Sequence, residues 1–164
     1  MNGIVILLAA GLIPLAVGAL WYGPLFGKSW MRANNFTEED LKGGNMAMIF
    51  GLTYILGIML AFGISSLTNH QSGVDQLFLM HPDYQTAGTE VGDLYKAVMD
   101  KFGNTHRSFG HGALHGVLGS ILLFLPLISI NALFERRGRK YIFIHWGYWA
   151  VTSILIGGVV CQWF

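Results

Sequence analysis

Two of the six histidines, His111 and His115, stand four residues apart, which on a helix puts both imidazoles on one face. A pair at that spacing can chelate a transition metal, provided a third ligand converges on it. His106 lies five residues earlier, and His70 and His81 fall in the same connecting segment. No Asp or Glu accompanies the pair at a known motif spacing. The metal reading therefore competes with interfacial hydrogen bonding, and with helix packing beside Gly112 and Gly116. His145 lies elsewhere, about one turn beyond Lys140. The chain shows no nucleophile–base pair, no phosphate-cradling loop and no cofactor fingerprint. The expectation is a protein that is not an enzyme and that uses no cofactor.

These residues must be positioned by very apolar elements. All charged side chains fall in three windows, Lys28–Lys42, Asp75–Arg107 and Glu135–Lys140. The stretches of about 3–26, 46–67, 112–134 and 141–163 contain no Asp, Glu, Lys or Arg. At ~1.5 Å rise per residue, each is long enough as a helix to cross a hydrocarbon core of ~30 Å. Hydrophobic residues make up 53% of the chain and charged ones 12%, against roughly 25% charged in soluble domains. The fold expected is all-α: a polytopic transmembrane bundle of four helices forming one integral domain over residues 1–164. Its single sizeable extramembrane loop, about 68–110, should carry an outer amphipathic helix between spans two and three. The formal net charge of +1 gives no support for nucleic-acid binding, so the bilayer itself is the first partner. The lone Cys161 reads as a small apolar side chain in the last span.

Aromatic residues mark the span ends, since their apolar rings with polar tips favour the headgroup zone. Trp21, Tyr22 and Trp30 form one group; Tyr141, Trp146 and Trp149 form another. Pro24 should end the first span and Pro14 should kink it. Thr37-Glu38-Glu39-Asp40 suggests the start of a short surface helix ending by Gly43-Gly44. In the second loop, Val91, Leu94, Tyr95, Val98 and Phe102 keep helical spacing. A shorter helix around Val74–Met80, capped by Ser72, should precede it. Gly51, Gly57 and Gly63 in span two, with Gly112, Gly116 and Gly119 in span three, are the candidate positions for close helix packing.

Loops one and three hold three and four Lys or Arg in short segments, whereas loop two holds three in about forty residues. The positive-inside bias thus places loops one and three in the cytoplasm and both termini outside. The N-terminus lacks a positively charged start, so it reads as a retained first span. No carboxylate or base lies deep in a span, which disfavours pumps. The leading functional reading is a non-catalytic packing or accessory module in a homo-oligomer or larger membrane complex. One alternative is a small oligomeric channel or transporter with Ser120, Ser129, Asn131, Thr152 and Ser153 at the pore and His145 at its inner mouth. A further alternative is metal binding at the outer face by His111 and His115.

Two segments bear on the family. Gly18-Ala19-Leu20-Trp21-Tyr22-Gly23-Pro24-Leu25-Phe26-Gly27-Lys28-Ser29-Trp30-Met31 resembles the N-terminal signature of the domain of unknown function 1761 family. Asn131-Ala132-Leu133-Phe134-Glu135-Arg136-Arg137, with Gly147-Tyr148, is similar to its C-terminal half. The resemblance implies a small, mainly bacterial membrane protein of about four spans, in the inner membrane, and assigns no activity. The chain departs from the pattern in its longer second loop and in the histidines before and within span three.

Overall fold

The computed structural model describes residues 2–164 and, among them, contains helices and no strand. In chain order these are α1 (Gly3–Leu25), α2 (Gly27–Asn34), α3 (Met46–Thr68), α4 (His70–Phe78), α5 (Glu90–Phe102), α6 (Phe109–Phe134) and α7 (Arg139–Trp163). Helices α1, α3, α6 and α7 are long and apolar enough to cross a membrane. The amphipathic helix expected in loop two is α5. Thr89 caps it by accepting the Gly92 N–H, and Glu90 and Asp93 lie in its first turn, where the helix dipole favours acids.

Helix α7 is the centre of the bundle and touches each of the other three spans, α6 most extensively. The buried layer draws Ile6 and Ala10 from α1, Ala61 and Ile64 from α3, and Ile156 and Val160 from α7. Large apolar side chains of α3 and α6, such as Phe50, Leu56, Leu122 and Leu133, point outward, as lipid-facing surfaces do. Two tryptophans satisfy their indole N–H across this layer, Trp21 on the Ile144 carbonyl (2.9 Å) and Trp146 on the Ser120 carbonyl (3.0 Å). The Ser120 carbonyl also accepts the Leu125 N–H in a wide turn over Ser120–Phe124. Pro126 follows that turn and lacks the amide hydrogen that a regular ladder would require.

Helix α1 ends at Leu25, next to Pro24 as expected, in a wide turn over Trp21–Leu25 that is kinked at Gly23 (φ −101°, ψ −108°), and Phe26 donates to the Trp21 carbonyl at 2.9 Å. Two local expectations need correction. Residues 38–43 form turns and no helix. The Asp40 amide donates to the Thr37 hydroxyl at 3.3 Å, so a capping pair forms, but the chain reverses at the left-handed Gly43 (φ 93°) before a helix is established. Within the pair the Thr37 amide and hydroxyl donate to the Asp40 carboxylate, at 2.8 and 2.6 Å. Those two bonds hold the Asp40 carboxyl below its usual range. Helix α4 begins at His70 and not near Ser72, because the extended Asn69 turns the chain directly off the end of α3. Helices α4 and α5 are tied to one another: Tyr95 donates to Asp75 at 2.8 Å and packs edge-on against Phe78. That bond to a carboxylate is the main cause that pushes the Tyr95 phenol up to about 12.

Both termini and loop two gather at one end of the bundle. Phe109 N–H donates to Gln162 Oε1 at 3.1 Å, and Gly3 lies against the Phe164 ring. Loops one and three meet at the other end, where Arg137 reaches the Asn34 carbonyl.

Candidate functional site

The backbone turns at two helix boundaries bring four imidazoles together. At the first, Asn69 (φ −93°, ψ 104°) ends α3 and puts His70 in the first turn of α4, directly above the span. At the second, His106 adopts the left-handed φ of 61°, a region non-glycine residues seldom occupy. The reversal lets Ser108 accept the His111 N–H and cap α6, so that His111 and His115 occupy its opening turns.

In the resulting cluster the His70 and His111 Nε2 atoms are 2.9 Å apart, a bond in which one ring donates and the other accepts. The His115 ring lies 4.6 Å from His111 and 5.1 Å from His70, centroid to centroid. One nitrogen from each of His70, His111 and His115 fits within 4.8 Å of the other two. His106 stacks on His111 at 4.9 Å with 22° between planes. His70 and His106 are exposed and His111 and His115 are half-buried, so the cluster borders solvent. A cavity of about 400 Å³ opens beside His70 and His106, and another of about 370 Å³ runs below His115 between α3 and α6.

Two residues fix this arrangement, neither of them singled out by sequence for this purpose. The buried Gln71 amide donates to the carbonyls of Phe102 (2.9 Å) and Thr105 (3.0 Å), clamping the segment that carries His106 to the helix that carries His70. The Cys161 thiol is directed at the carbonyls of His106 (3.4 Å) and Thr68 (3.6 Å), so α7 holds both flanking turns from beneath. No spacing rule marks either residue, because each acts through backbone carbonyls distant in sequence. His70 and His106 were visible only as further histidines of the same loop.

The glycines divide. At Gly112 a side chain would collide with the Gly157 carbonyl, at Gly116 with the Ser153 carbonyl, and at Gly57 with the Gly11 carbonyl. At Gly51, Gly63 and Gly119 nothing lies within 4 Å of that position. Ser120, Thr152 and Ser153 are buried inside the chain, while Asn131 is exposed. His145 lies at the opposite end of the bundle, with Nδ1 3.1 Å from the Tyr22 hydroxyl and its ring 4.3 Å from that of Tyr141. His145 is thus no part of the histidine cluster, and neither is His81.

The arrangement is a set of imidazole nitrogens at the end of a membrane bundle. Three of them converge as metal ligands do, and the fourth is a stacked neighbour. Residues 5–161 match a family model described as protein of unknown function (DUF1761), and the chain belongs to that family. No curated protein and no solved structure matches the chain.

Proposed function

From membership in that family and the geometry of the cluster, we propose that the chain is a four-span, non-catalytic membrane protein that holds one transition-metal ion through His70, His111 and His115. The observation that supports this reading is the convergence of three imidazole nitrogens from two different helices within 4.8 Å. Tetrahedral coordination at Zn–N distances of 2.0–2.1 Å puts ligand nitrogens roughly 3.3–3.4 Å apart. The separations run from 2.9 Å to no more than 4.8 Å, so side-chain rotation of the exposed His70 brings the set into that geometry. An all-imidazole set suits zinc, copper or nickel, whereas magnesium and calcium prefer oxygen ligands. Three protein ligands leave one position for water, for His106 or for a donor on an external molecule. Capture or sensing of such an ion fits this open arrangement. Zinc titrated calorimetrically into the protein in lipid nanodiscs is expected to bind at one ion per chain, and absence of saturable binding would overturn the reading.

The loop charges support an orientation with the cluster and both termini on the outer side of a bacterial inner membrane. A reporter active only in the cytoplasm, fused after Phe164, should be silent; strong activity would reverse the orientation.

A second reading, an accessory role in a homo-oligomer or with other membrane proteins, is favoured by the open faces at Gly51, Gly63 and Gly119. Mild extraction followed by native mass measurement should show a species heavier than one chain. A stable monomer without partners counts against it.

A further inference from the structure

Away from the histidines, at the end where loops one and three meet, a cavity of about 320 Å³ is lined by Arg32, Arg136, Arg137 and Lys140, together with Gly138 and Tyr141. Arg32 comes from α2, Arg136 and Arg137 from the turn before α7, and Lys140 from the first turn of α7. The site is therefore assembled by folding and not by a run of sequence alone. Among the described residues, Arg137 alone of these cations is ion-paired, with Nε 3.5 Å from Glu135 Oε2. Its side chain is also anchored, with a terminal nitrogen on the Asn34 carbonyl and its guanidinium 5.6 Å from the Tyr141 ring centroid.

The cavity also faces the start of a 25-residue helix whose flanking residue, Gly138, provides no side-chain cap, and whose first turn contains no acid. Unpaired amide hydrogens and the helix dipole make that end positive. Four cations gathered at the positive end of a helix repel one another and the dipole, so the site is electrostatically incomplete without an anion. Loop topology alone explains why basic residues lie on this side; it does not explain their convergence from two loops on one cavity. Guanidinium groups present paired donors that match phosphate oxygens. A basic pocket between span ends is the setting in which lipid headgroups are held.

We propose that this pocket binds a phosphate group, presented by the headgroup of an anionic phospholipid. The test uses the full chain in phosphatidylcholine nanodiscs containing a minority of phosphatidylglycerol, with the lipids that stay bound counted by native mass spectrometry. Phosphatidylglycerol should be retained in preference to phosphatidylcholine. At about 5-fold per surface basic residue, the double variant R32Q/K140Q should lose about 25-fold of that preference. R32K/K140R keeps the charge and should retain most of it, and K101Q/R107Q, with cations removed at the other end, should retain all of it. If R32Q/K140Q elutes as an aggregate, R136Q alone serves, since the Arg136 side chain makes no hydrogen bond or ion pair among the described residues. Inorganic phosphate titrated into pure phosphatidylcholine nanodiscs separates the sources. Saturable binding there assigns the same site to a soluble phosphate compound, and no binding there leaves the headgroup. Equal retention of both lipids together with no phosphate binding overturns the proposal, as does a loss of preference in K101Q/R107Q matching that in R32Q/K140Q.

Discussion

Replacing His111 with Ala lowers zinc affinity by at least about 100-fold, the largest loss expected from any single histidine. The reason is its central position: His111 Nε2 is hydrogen-bonded to His70, its ring lies against His115, and its other neighbour is the stacked His106. Removing a residue that merely orients a metal ligand costs about 10- to 100-fold, so losing a ligand of a three-ligand set should reach the top of that range or exceed it. His70→Ala and His115→Ala should approach the same loss. His106→Ala should cost about 10-fold, as expected of a residue that holds the plane of His111. His81→Ala and His145→Ala should change nothing, since neither belongs to the cluster. The series is read by calorimetric titration of zinc into each variant in nanodiscs. If His81→Ala weakens binding as much as His111→Ala, the metal is held by loop two at large and the three-residue centre is wrong. Because all four rings border solvent, the metal-free variants should unfold at nearly the parent temperature.

What could be foreseen differs between bundle and site for a physical reason. The four spans are written in the sequence as long stretches free of charge, since a charged side chain in hydrocarbon is costly at every point along the span. The amphipathic α5 is likewise written in the spacing of Val91, Leu94, Tyr95, Val98 and Phe102, because one helix face alone determines it. The pairing of His111 with His115 was legible from spacing of the same kind. Their meeting with His70 was not. It depends on the extended Asn69 between α3 and α4, and on the left-handed turn at His106, where the residue type gives only a weak signal. Gln71 and Cys161 were illegible for a further reason: they act on carbonyls, and every residue offers a carbonyl. The helix expected after Thr37 is missing although its capping pair with Asp40 forms, because the left-handed Gly43 reverses the chain after little more than one turn.

Replacing Gly112 with Val should damage stability and metal affinity together, and this combination separates the scaffold from the ligands. At Gly112 the α6 backbone lies against α7 so closely that an added side chain would overlap the Gly157 carbonyl and the Cys161 Cβ. The contact is reciprocal, since a side chain at Gly157 would meet the Gly112 carbonyl. Backbone cannot rotate aside as a flexible side chain does, so the cost should lie at or above the upper end for overpacking, ~3 kcal/mol. For a chain of this size that corresponds to a fall of roughly 6–12 °C in unfolding midpoint, measured by heating in detergent micelles. Metal affinity should fall as well, because α6 carries His111 and His115, while Cys161 on α7 holds the turns that carry His70 and His106. Pushing the two helices apart therefore separates donors that no substitution has touched. Gly119→Ala is the matched control: nothing lies within 4 Å of the added methyl, and both quantities should stay near the parent values. A Gly112→Val protein with parent-like unfolding would show that α6 and α7 do not approach this closely, and the imidazoles would then have no common scaffold to hold them together. Loss of stability with unchanged zinc binding would instead mean that loop two positions the histidines independently of the spans.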